Sequence, residues 1–326
     1  MLLHELLLPF GIGLSVLLFG MKAMEIGVHE WAGPFLTGLL RRFTGTPLRG
    51  LLTGTLATVA IQSSDAVTII TIGLVNAGVL TFRQTLGVVL GANVGASLTA
   101  DMLALDMSSE ALPLLLASGA GWFAFLLLPK LPVSPGLKRA SGTLRPLCLS
   151  LSGFACILIG LERMYEIVPA LQSHGLFGWF LEQSQQSLVW GLAAGAVVTA
   201  VIQSSAATMA VTMGLAAVHA VSVELGIAIV LGANIGTCST ALLACIGGTK
   251  AGRYVAWSHI ALNLFGSLLF FPMIDTLAYA SSLWTVSPYE QIARAQTLFN
   301  VCCSLIALPL CYLGFNTNRR HRRPLR

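Results

Sequence analysis

Long apolar runs, separated by short polar segments, recur along the whole chain. Runs of about 20 apolar residues are long enough to cross the hydrocarbon core of a bilayer as α-helices. The runs predict seven crossings, over residues 3–22, 84–106, 111–129, 146–162, 224–246, 254–273 and 293–314. Two further apolar stretches, 50–80 and 191–221, each carry a polar cluster near the middle. The pattern therefore predicts an all-α polytopic membrane protein.

Composition supports this class and excludes others. The chain is 56% hydrophobic and 10% charged, with a mean hydropathy of +0.82, whereas a soluble domain has about 25% charged residues. The formal net charge of +5 resides in loops and in the C-terminal tail, where membrane topology explains it, so it is not a signal for nucleic-acid binding. The expected partners are a lipid bilayer and no nucleic acid. The seven cysteines lie in or at the ends of apolar segments, without a Cys-x-x-Cys pair. We therefore expect no disulfide, no structural metal site and no cofactor.

Lysine and arginine residues predict the topology. The positive-inside rule places the following basic segments in the cytoplasm: 41–49, 83, 130–145, 250–253 and 319–323. The N-terminus is then outside and the C-terminus is cytoplasmic, in a bacterial inner membrane. The loops that flank 50–80 lie on one side, as do those that flank 191–221, so each stretch is predicted to be a re-entrant helical hairpin. Short amphipathic segments, 31–42 and 176–186, are expected to lie along the interface.

The two hairpin stretches belong to an internal repeat with an offset of 141 positions. Of the 55 aligned pairs from Gly50/Gly191 to Ala104/Cys245, 20 are identical. Because the hairpins enter from opposite faces, the copies are predicted to be inverted-topology repeats, each with a hairpin that carries a Gln-Ser-Ser motif. The predicted organisation is a first repeat over 1–130, a basic cytoplasmic linker over 131–145, a second repeat with a final transmembrane helix over 146–315, and a basic tail over 316–326.

Each hairpin turn places a Gln-Ser-Ser motif at membrane depth, at residues 62–64 and 203–205. The helix that restarts after each serine pair points its N-terminus at the turn, which favours an anion. Released carbonyls, with Ser, Thr and Gln oxygens, suit a small cation such as Na⁺. The membrane-depth segments are expected to contain no Lys or Arg, so a multiply charged anion would be costly there, and bound cations could compensate its charge. This favours cation-coupled symport, although the same polar groups could instead only hydrogen-bond neighbouring helices.

A Gly-Ala-Asn-x-Gly segment follows each motif. Glycines at 87, 91 and 95, and small residues at 228, 232 and 236, recur every four positions and allow close helix packing. Asn93 and Asn234 fall at membrane depth, where an unpaired amide is costly. For the two asparagines and the hydroxyl residues that follow them, packing and ion binding remain equal alternatives.

These residues resemble a known family. The paired Gln-Ser-Ser motifs, each followed by Gly-Ala-Asn-x-Gly, are similar to those of the type II sodium/phosphate cotransporters. The resemblance implies hairpins that meet at the centre of the membrane, inorganic phosphate as substrate and Na⁺ as coupling ion. The expected phosphate contacts are Ser63, Ser64, Ser204, Ser205, Asn93 and Asn234. The expected cation contacts are Gln62, Gln203, Asp65, Thr68, Thr208, Thr99, Thr237 and Thr240.

Two positions depart from the family pattern. The motif usually reads Gln-Ser-Ser-Ser, but the fourth positions here are Asp65 and Ala206, and Gln296 stands where the family commonly has His. Asp65 could bind Na⁺, carry H⁺ or merely cap the following helix. His259 is expected to be a hydrogen-bonded structural residue rather than a proton relay.

Several functions remain open at this stage. H⁺ coupling, another oxyanion and net export are variants of the transport hypothesis. An intramembrane enzyme or a receptor is the other class, but no serine has a nearby His/Asp set in the sequence. The oligomeric state, including a homo-oligomer, is left open.

Overall fold

The computed structural model describes residues 8–104, 110–132, 134–166 and 175–316. Regular structure in these ranges is entirely helical. The first part of the chain contains α1 (Leu8–Phe43), α2 (Pro47–Ile61), α3 (Ser64–Asn76), α4 (Phe82–Leu103), α5 (Ala111–Leu127) and α6 (Pro135–Tyr165). The second part contains α7 (Gly175–Gln186), α8 (Val189–Ile202), α9 (Ser205–Ala217), α10 (Val223–Gly236), α11 (Cys238–Ala244), α12 (Lys250–Phe270), α13 (Ile274–Ser282) and α14 (Pro288–Asn316).

Six helical stretches within the described residues are long and apolar enough to cross a membrane. They are Leu8–Trp31, Ala111–Lys130, Pro135–Met164, Val223–Ala244, Lys250–Ser282 and Pro288–Tyr312. These stretches confirm the all-helical, multi-span class. The remaining predicted crossing, 84–106, falls on α4, a 22-residue helix that is not among the six. Nearly all of the predicted basic tail, 316–326, lies outside the described residues.

Helix α1 is longer than the sequence predicted. It is continuous over 36 residues, so residues 31–42 extend the first helix instead of forming a helix of their own. The reason is packing against α6: a Cβ atom on Gly20 would lie 2.6 Å from the Gly153 carbonyl oxygen, and one on Gly27 would lie 2.5 Å from Ser150 Oγ. This contact continues past residue 22, where the predicted crossing ended. Helix α6 likewise begins at Pro135, inside the segment predicted as a linker.

The glycines of the two copies pack α2 against α4 and α8 against α10 in the same way. A Cβ atom on Gly91 would collide with the Leu51 carbonyl oxygen, and one on Gly232 would collide with the equivalent oxygen of Leu192. Residues that are equivalent in the repeat therefore make equivalent helix contacts. These contacts bring each pair of helices together just beside its Gln-Ser-Ser motif.

Substitution of Gly91 or Gly232 by alanine is expected to destabilise the protein. The added Cβ meets a backbone carbonyl that cannot move aside, and overpacking of this kind costs about 1–3 kcal/mol. Gly73→Ala is the matched control, because a Cβ on that helical glycine meets nothing within 4 Å. Thermal melting of the detergent-purified variants should show a lower Tm for the first two and an unchanged or higher Tm for the control. Equal Tm values in all three would contradict this account of the packing.

Candidate functional site

A helix break interrupts each copy of the repeat with the same backbone geometry. Gln62 adopts φ 59°, ψ 26°, and Gln203 adopts φ 60°, ψ 29°, a left-handed conformation that is uncommon for residues other than glycine. Each glutamine side chain turns back on the helix that it ends: Nε2 donates to the Val59 carbonyl (2.6 Å) in the first copy and to the Ala200 carbonyl (3.1 Å) in the second. Each amide oxygen can accept hydrogen bonds.

The following serine begins the next helix. Ser63 Oγ accepts a hydrogen bond from the Ala66 N–H (3.1 Å), and Ser204 Oγ accepts one from the Ala207 N–H (3.2 Å). Both are N-caps in extended conformation. The Ser204 hydroxyl also donates a weak hydrogen bond to Met21 Sδ, at 3.9 Å. Asp65 is therefore not the cap of α3, and that alternative was wrong, because the serine two positions earlier already occupies the capping position.

Both breaks line one cavity of about 620 Å³, a size typical of ligand pockets. It brings together nine of the fourteen predicted ion contacts: Gln62, Ser63, Ser64, Asp65, Thr99, Gln203, Ser204, Ser205 and Thr240. Gln296 lines it too. The N-termini of α3 and α9 thus face one space, although they belong to different copies of the repeat.

Asp65, in the first copy of the repeat, accepts a hydrogen bond from Thr240 in the second copy. Thr240 Oγ1 lies 3.0 Å from Asp65 Oδ1 and 2.7 Å from the Thr237 carbonyl oxygen, so its single proton can serve either acceptor. In the alignment Thr240 is equivalent to Thr99, and Asp65 is equivalent to Ala206. The corresponding hydroxyl, Thr99 Oγ1, donates to the Gly95 carbonyl at 3.3 Å. The carboxylate therefore makes one wall of the cavity different from the other.

A lysine and a glutamate that sequence reasoning missed also line the cavity. Lys22 and Glu25 lie on α1, and their side chains form an ion pair with Nζ and Oε2 2.9 Å apart. No Lys or Arg was expected in the membrane-depth segments, yet Lys22 lines the cavity that the two breaks share. The first crossing was predicted to end at residue 22, whereas the apolar stretch of the helix continues to Trp31. The sequence did contain a signal for this pair, because a Lys and a Glu stand three positions apart inside an apolar run.

Five predicted ion contacts do not line the cavity. Asn93 Nδ2 donates to Asn263 Oδ1 (2.9 Å), and Asn234 Nδ2 donates to the Val230 carbonyl (2.8 Å). The Thr237 hydroxyl lies 2.7 Å from the Asn234 carbonyl oxygen. Thr208 and Thr199 hydroxyls are 2.8 Å apart, while Thr68 Oγ1 is buried without a partner in the described part of the chain. The amide of Asn93 therefore bonds to a neighbouring helix, and the amide of Asn234 bonds to the backbone of its own helix.

Two further titratable residues do not line the cavity. Asp101 accepts a hydrogen bond from Thr297 (3.1 Å) and pairs with Arg294 (3.1 Å), which joins α4 to α14. His259 is 2% exposed, and neither ring nitrogen has a partner among the described residues. The expected hydrogen bond was wrong: Asn263, one turn further along α12, donates to the His259 backbone carbonyl (3.1 Å) instead of to its ring.

A family model and a full-length relative both match most of the chain. The family model described as Na⁺/Pi-cotransporter matches twice, over residues 16–166 and 156–285. An uncharacterized protein of Bacillus subtilis is 29% identical over 310 residues, which cover 95% of this chain and 96% of that protein. No solved structure matches the chain significantly.

Two relatives have names that include phosphate. A protein of Escherichia coli, provisionally named an inorganic phosphate export protein, is 27% identical over 90% of this chain. The alignment covers 52% of that relative, so the chain spans about half of its length. The human sodium-dependent phosphate transport protein 2B is 33% identical over 107 residues, which are 29% of this chain and 15% of that protein.

Proposed function

Because the chain belongs to the Na⁺/Pi-cotransporter family and has several helices that could span a bilayer, we propose that this multi-pass membrane protein is a secondary active transporter of inorganic phosphate, coupled to Na⁺. One observation carries the proposal: the two Gln-Ser-Ser breaks, far apart in sequence, line a single cavity. Each break presents a helix N-terminus and a serine hydroxyl to the same space.

The phosphate contacts are the four serines of the two breaks. The Ser63 hydroxyl can donate to a bound anion, and the Ser204 hydroxyl can exchange its weak bond to Met21 Sδ (3.9 Å) for one to the anion. Ser64 and Ser205 begin α3 and α9, where backbone N–H groups have no acceptor within their own helix. A helix N-terminus carries roughly half a positive charge. Two such termini at one cavity stabilise an anion without a full charge on either hairpin.

The cation contacts are the oxygen-bearing side chains beside the serines. The Asp65 carboxylate, the Thr240 hydroxyl and the amide oxygens of Gln62 and Gln203 line the cavity, and hard oxygen ligands suit Na⁺. A cation at the carboxylate offsets the charge of a bound phosphate, and each ion then raises the affinity for the other. This reciprocal coupling is the physical basis of symport in the proposal.

The proposed architecture is a pair of inverted repeats with re-entrant hairpins. Helices α2 and α3 have 15 and 13 residues, so at about 1.5 Å per residue neither reaches across a hydrocarbon core of about 30 Å. Packing of α1 on α6 supports a two-fold relation. A Cβ on Gly20 would approach the Gly153 carbonyl, and one on Gly13 would approach the Gly160 carbonyl. When Gly20 is aligned with Gly160, Gly13 aligns with Gly153. The Gly20–Gly153 contact is then equivalent to the Gly160–Gly13 contact, as a two-fold relation between the copies requires.

The proposed orientation follows from the basic segments, with the N-terminus outside and the C-terminus in the cytoplasm of a bacterial inner membrane. Net export is the second candidate function, because the Escherichia coli relative carries an export name. Coupling to H⁺ is a variant in which Asp65 takes a proton in place of Na⁺. The geometry of the cavity is the same for each of these.

Proteoliposomes that contain the purified protein are expected to accumulate radiolabelled phosphate when an inward Na⁺ gradient is imposed. An equal K⁺ gradient should give no accumulation, because the proposal assigns the coupling site to Na⁺. A proton gradient in Na⁺-free buffer tests the H⁺ variant, and reversed gradients test export. Absence of phosphate flux under every gradient would overturn the proposed function.

A further inference from the structure

We propose that Lys22 is a phosphate contact of the cavity, and that Glu25 holds its ammonium group while phosphate is absent. This inference rests on the proposed function and adds a contact on α1, outside both Gln-Ser-Ser breaks. It assigns the anion a full positive charge from a helix that belongs to neither hairpin.

The position of Lys22 is the first reason. It lies well inside the apolar stretch Leu8–Trp31 of α1, more than two helical turns from either end. A charged residue at such a depth is costly and usually faces a polar cavity and a partner. Lys22 meets both conditions, because it lines the cavity and pairs with Glu25 at 2.9 Å.

The charges around the cavity are the second reason. Among the described residues that line it, Lys22 is the only Lys, Arg or His, while Glu25 and Asp65 are both acidic. Without the lysine, an entering phosphate would meet two carboxylates and no cationic side chain. Serine hydroxyls and helix termini would then have to overcome this repulsion alone.

The ion pair itself is the third reason. The Lys22 side chain is 65% exposed and that of Glu25 is 31% exposed, and both residues line the cavity. Exposed ion pairs contribute little stability, and an ammonium group with three donors can move from a carboxylate to a phosphate at small cost. Glu25 is thus an internal competitor that phosphate displaces from Lys22.

Direct binding measures this exchange separately from transport. Radiolabelled phosphate binding to the detergent-purified full chain gives a Kd in Na⁺-containing and in Na⁺-free buffer. Lys22→Gln should raise the Kd by about tenfold or more because it removes a charge-assisted contact, and Lys22→Arg should keep it within about threefold because the charge remains. Glu25→Gln should lower the Kd in Na⁺-free buffer by about threefold or more, because it removes the competitor.

Arg163→Gln is the matched control. Arg163 forms an ion pair of the same spacing with Glu166, also at 2.9 Å, near the end of α6, and neither residue lines the cavity. Its Kd should match that of the wild type. A purely structural role for Lys22 and Glu25 predicts lower Tm values with unchanged Kd in both glutamine variants, and that outcome overturns the inference. If Lys22→Gln fails to fold, the lower Kd expected for Glu25→Gln in Na⁺-free buffer still tests the inference, and an unchanged Kd contradicts it.

The two proposals fail in different ways. A wild-type protein that neither binds nor transports phosphate refutes the proposed function, and the role of Lys22 falls with it. A wild-type protein that binds and transports phosphate, with an unchanged Kd in Lys22→Gln and Glu25→Gln, refutes only the role of Lys22.

Discussion

Substitution of Asp65 by asparagine is expected to lower Na⁺-driven phosphate uptake by about tenfold or more, which corresponds to a loss of about 1.4 kcal/mol or more of transition-state stabilisation. Asparagine keeps the shape of the side chain and an oxygen for the Thr240 hydroxyl, which lies 3.0 Å away. It removes the negative charge that holds the coupling cation beside the phosphate. The defect should therefore lie in the Na⁺ dependence, with a higher Na⁺ concentration at half-maximal rate.

Two further variants sharpen this prediction. Asp65→Ser restores the Gln-Ser-Ser-Ser pattern of the family and should lose the same charge while keeping an oxygen ligand. Asp101→Asn is the control, since Asp101 pairs with Arg294 and does not line the cavity. Initial uptake rates over a series of Na⁺ concentrations, normalised to reconstituted protein, provide the measurement. If the Na⁺ dependence of Asp65→Asn matches the wild type, the coupling cation binds elsewhere.

The same variants separate Na⁺ coupling from H⁺ coupling. If Asp65 carries a proton, a pH gradient in Na⁺-free buffer should drive uptake by the wild type and not by Asp65→Asn, because an amide does not titrate in this range. If Asp65 binds Na⁺, the pH gradient should drive neither protein. Each result assigns one ion to the carboxylate.

Loss of both capping serines is the second large effect that we expect. The double variant Ser63→Ala with Ser204→Ala should reduce phosphate flux by about 100-fold, and each single variant by about tenfold. Each change removes one hydroxyl donor from the cavity and also the N-cap of α3 or α9, and cap loss alone costs about 0.5–2 kcal/mol of stability. The flux measurement must therefore be separated from folding.

The chain offers controls for this separation. Ser222 caps α10, with Oγ accepting from the Leu225 N–H at 3.2 Å, and it does not line the cavity. Ser222→Ala should lose comparable stability and keep wild-type flux per folded molecule. Ser63→Gly should keep most of the cap, because glycine replaces a capping serine at a cost of a few tenths of a kcal/mol, yet lose flux like Ser63→Ala. Wild-type flux in Ser63→Gly would reduce Ser63 to a structural cap.

The sequence predicted helices better than it predicted their lengths. Apolar runs long enough to cross a bilayer identify membrane helices because backbone hydrogen bonds must be satisfied inside each segment. The end of α1 was misplaced because Lys22 and Glu25 look like the edge of a span when read alone. Their position inside a continuous helix depends on glycine contacts with α6, which come from a segment far away in the chain.

The candidate site was also predicted in part. The Gln-Ser-Ser motifs stood out because polar residues inside apolar stretches need a partner or a wet cavity. Asn93 and Asn234 met the same criterion, but in the structure their amides bond to another helix and to their own helix. Burial of a polar group shows only that it has to be satisfied. The identity of its partner depends on which helices become neighbours.

Taken alone, the sequence determined the helical membrane class, the repeat and the two polar interruptions, because hydropathy and periodicity are local properties of the chain. Only the tertiary structure decided that both interruptions line one cavity, that Thr240 from the second copy reaches Asp65 in the first, and that Lys22 and Glu25 join them. These are contacts between segments distant along the chain, and they form only once close packing at glycine has set the distance between the helices.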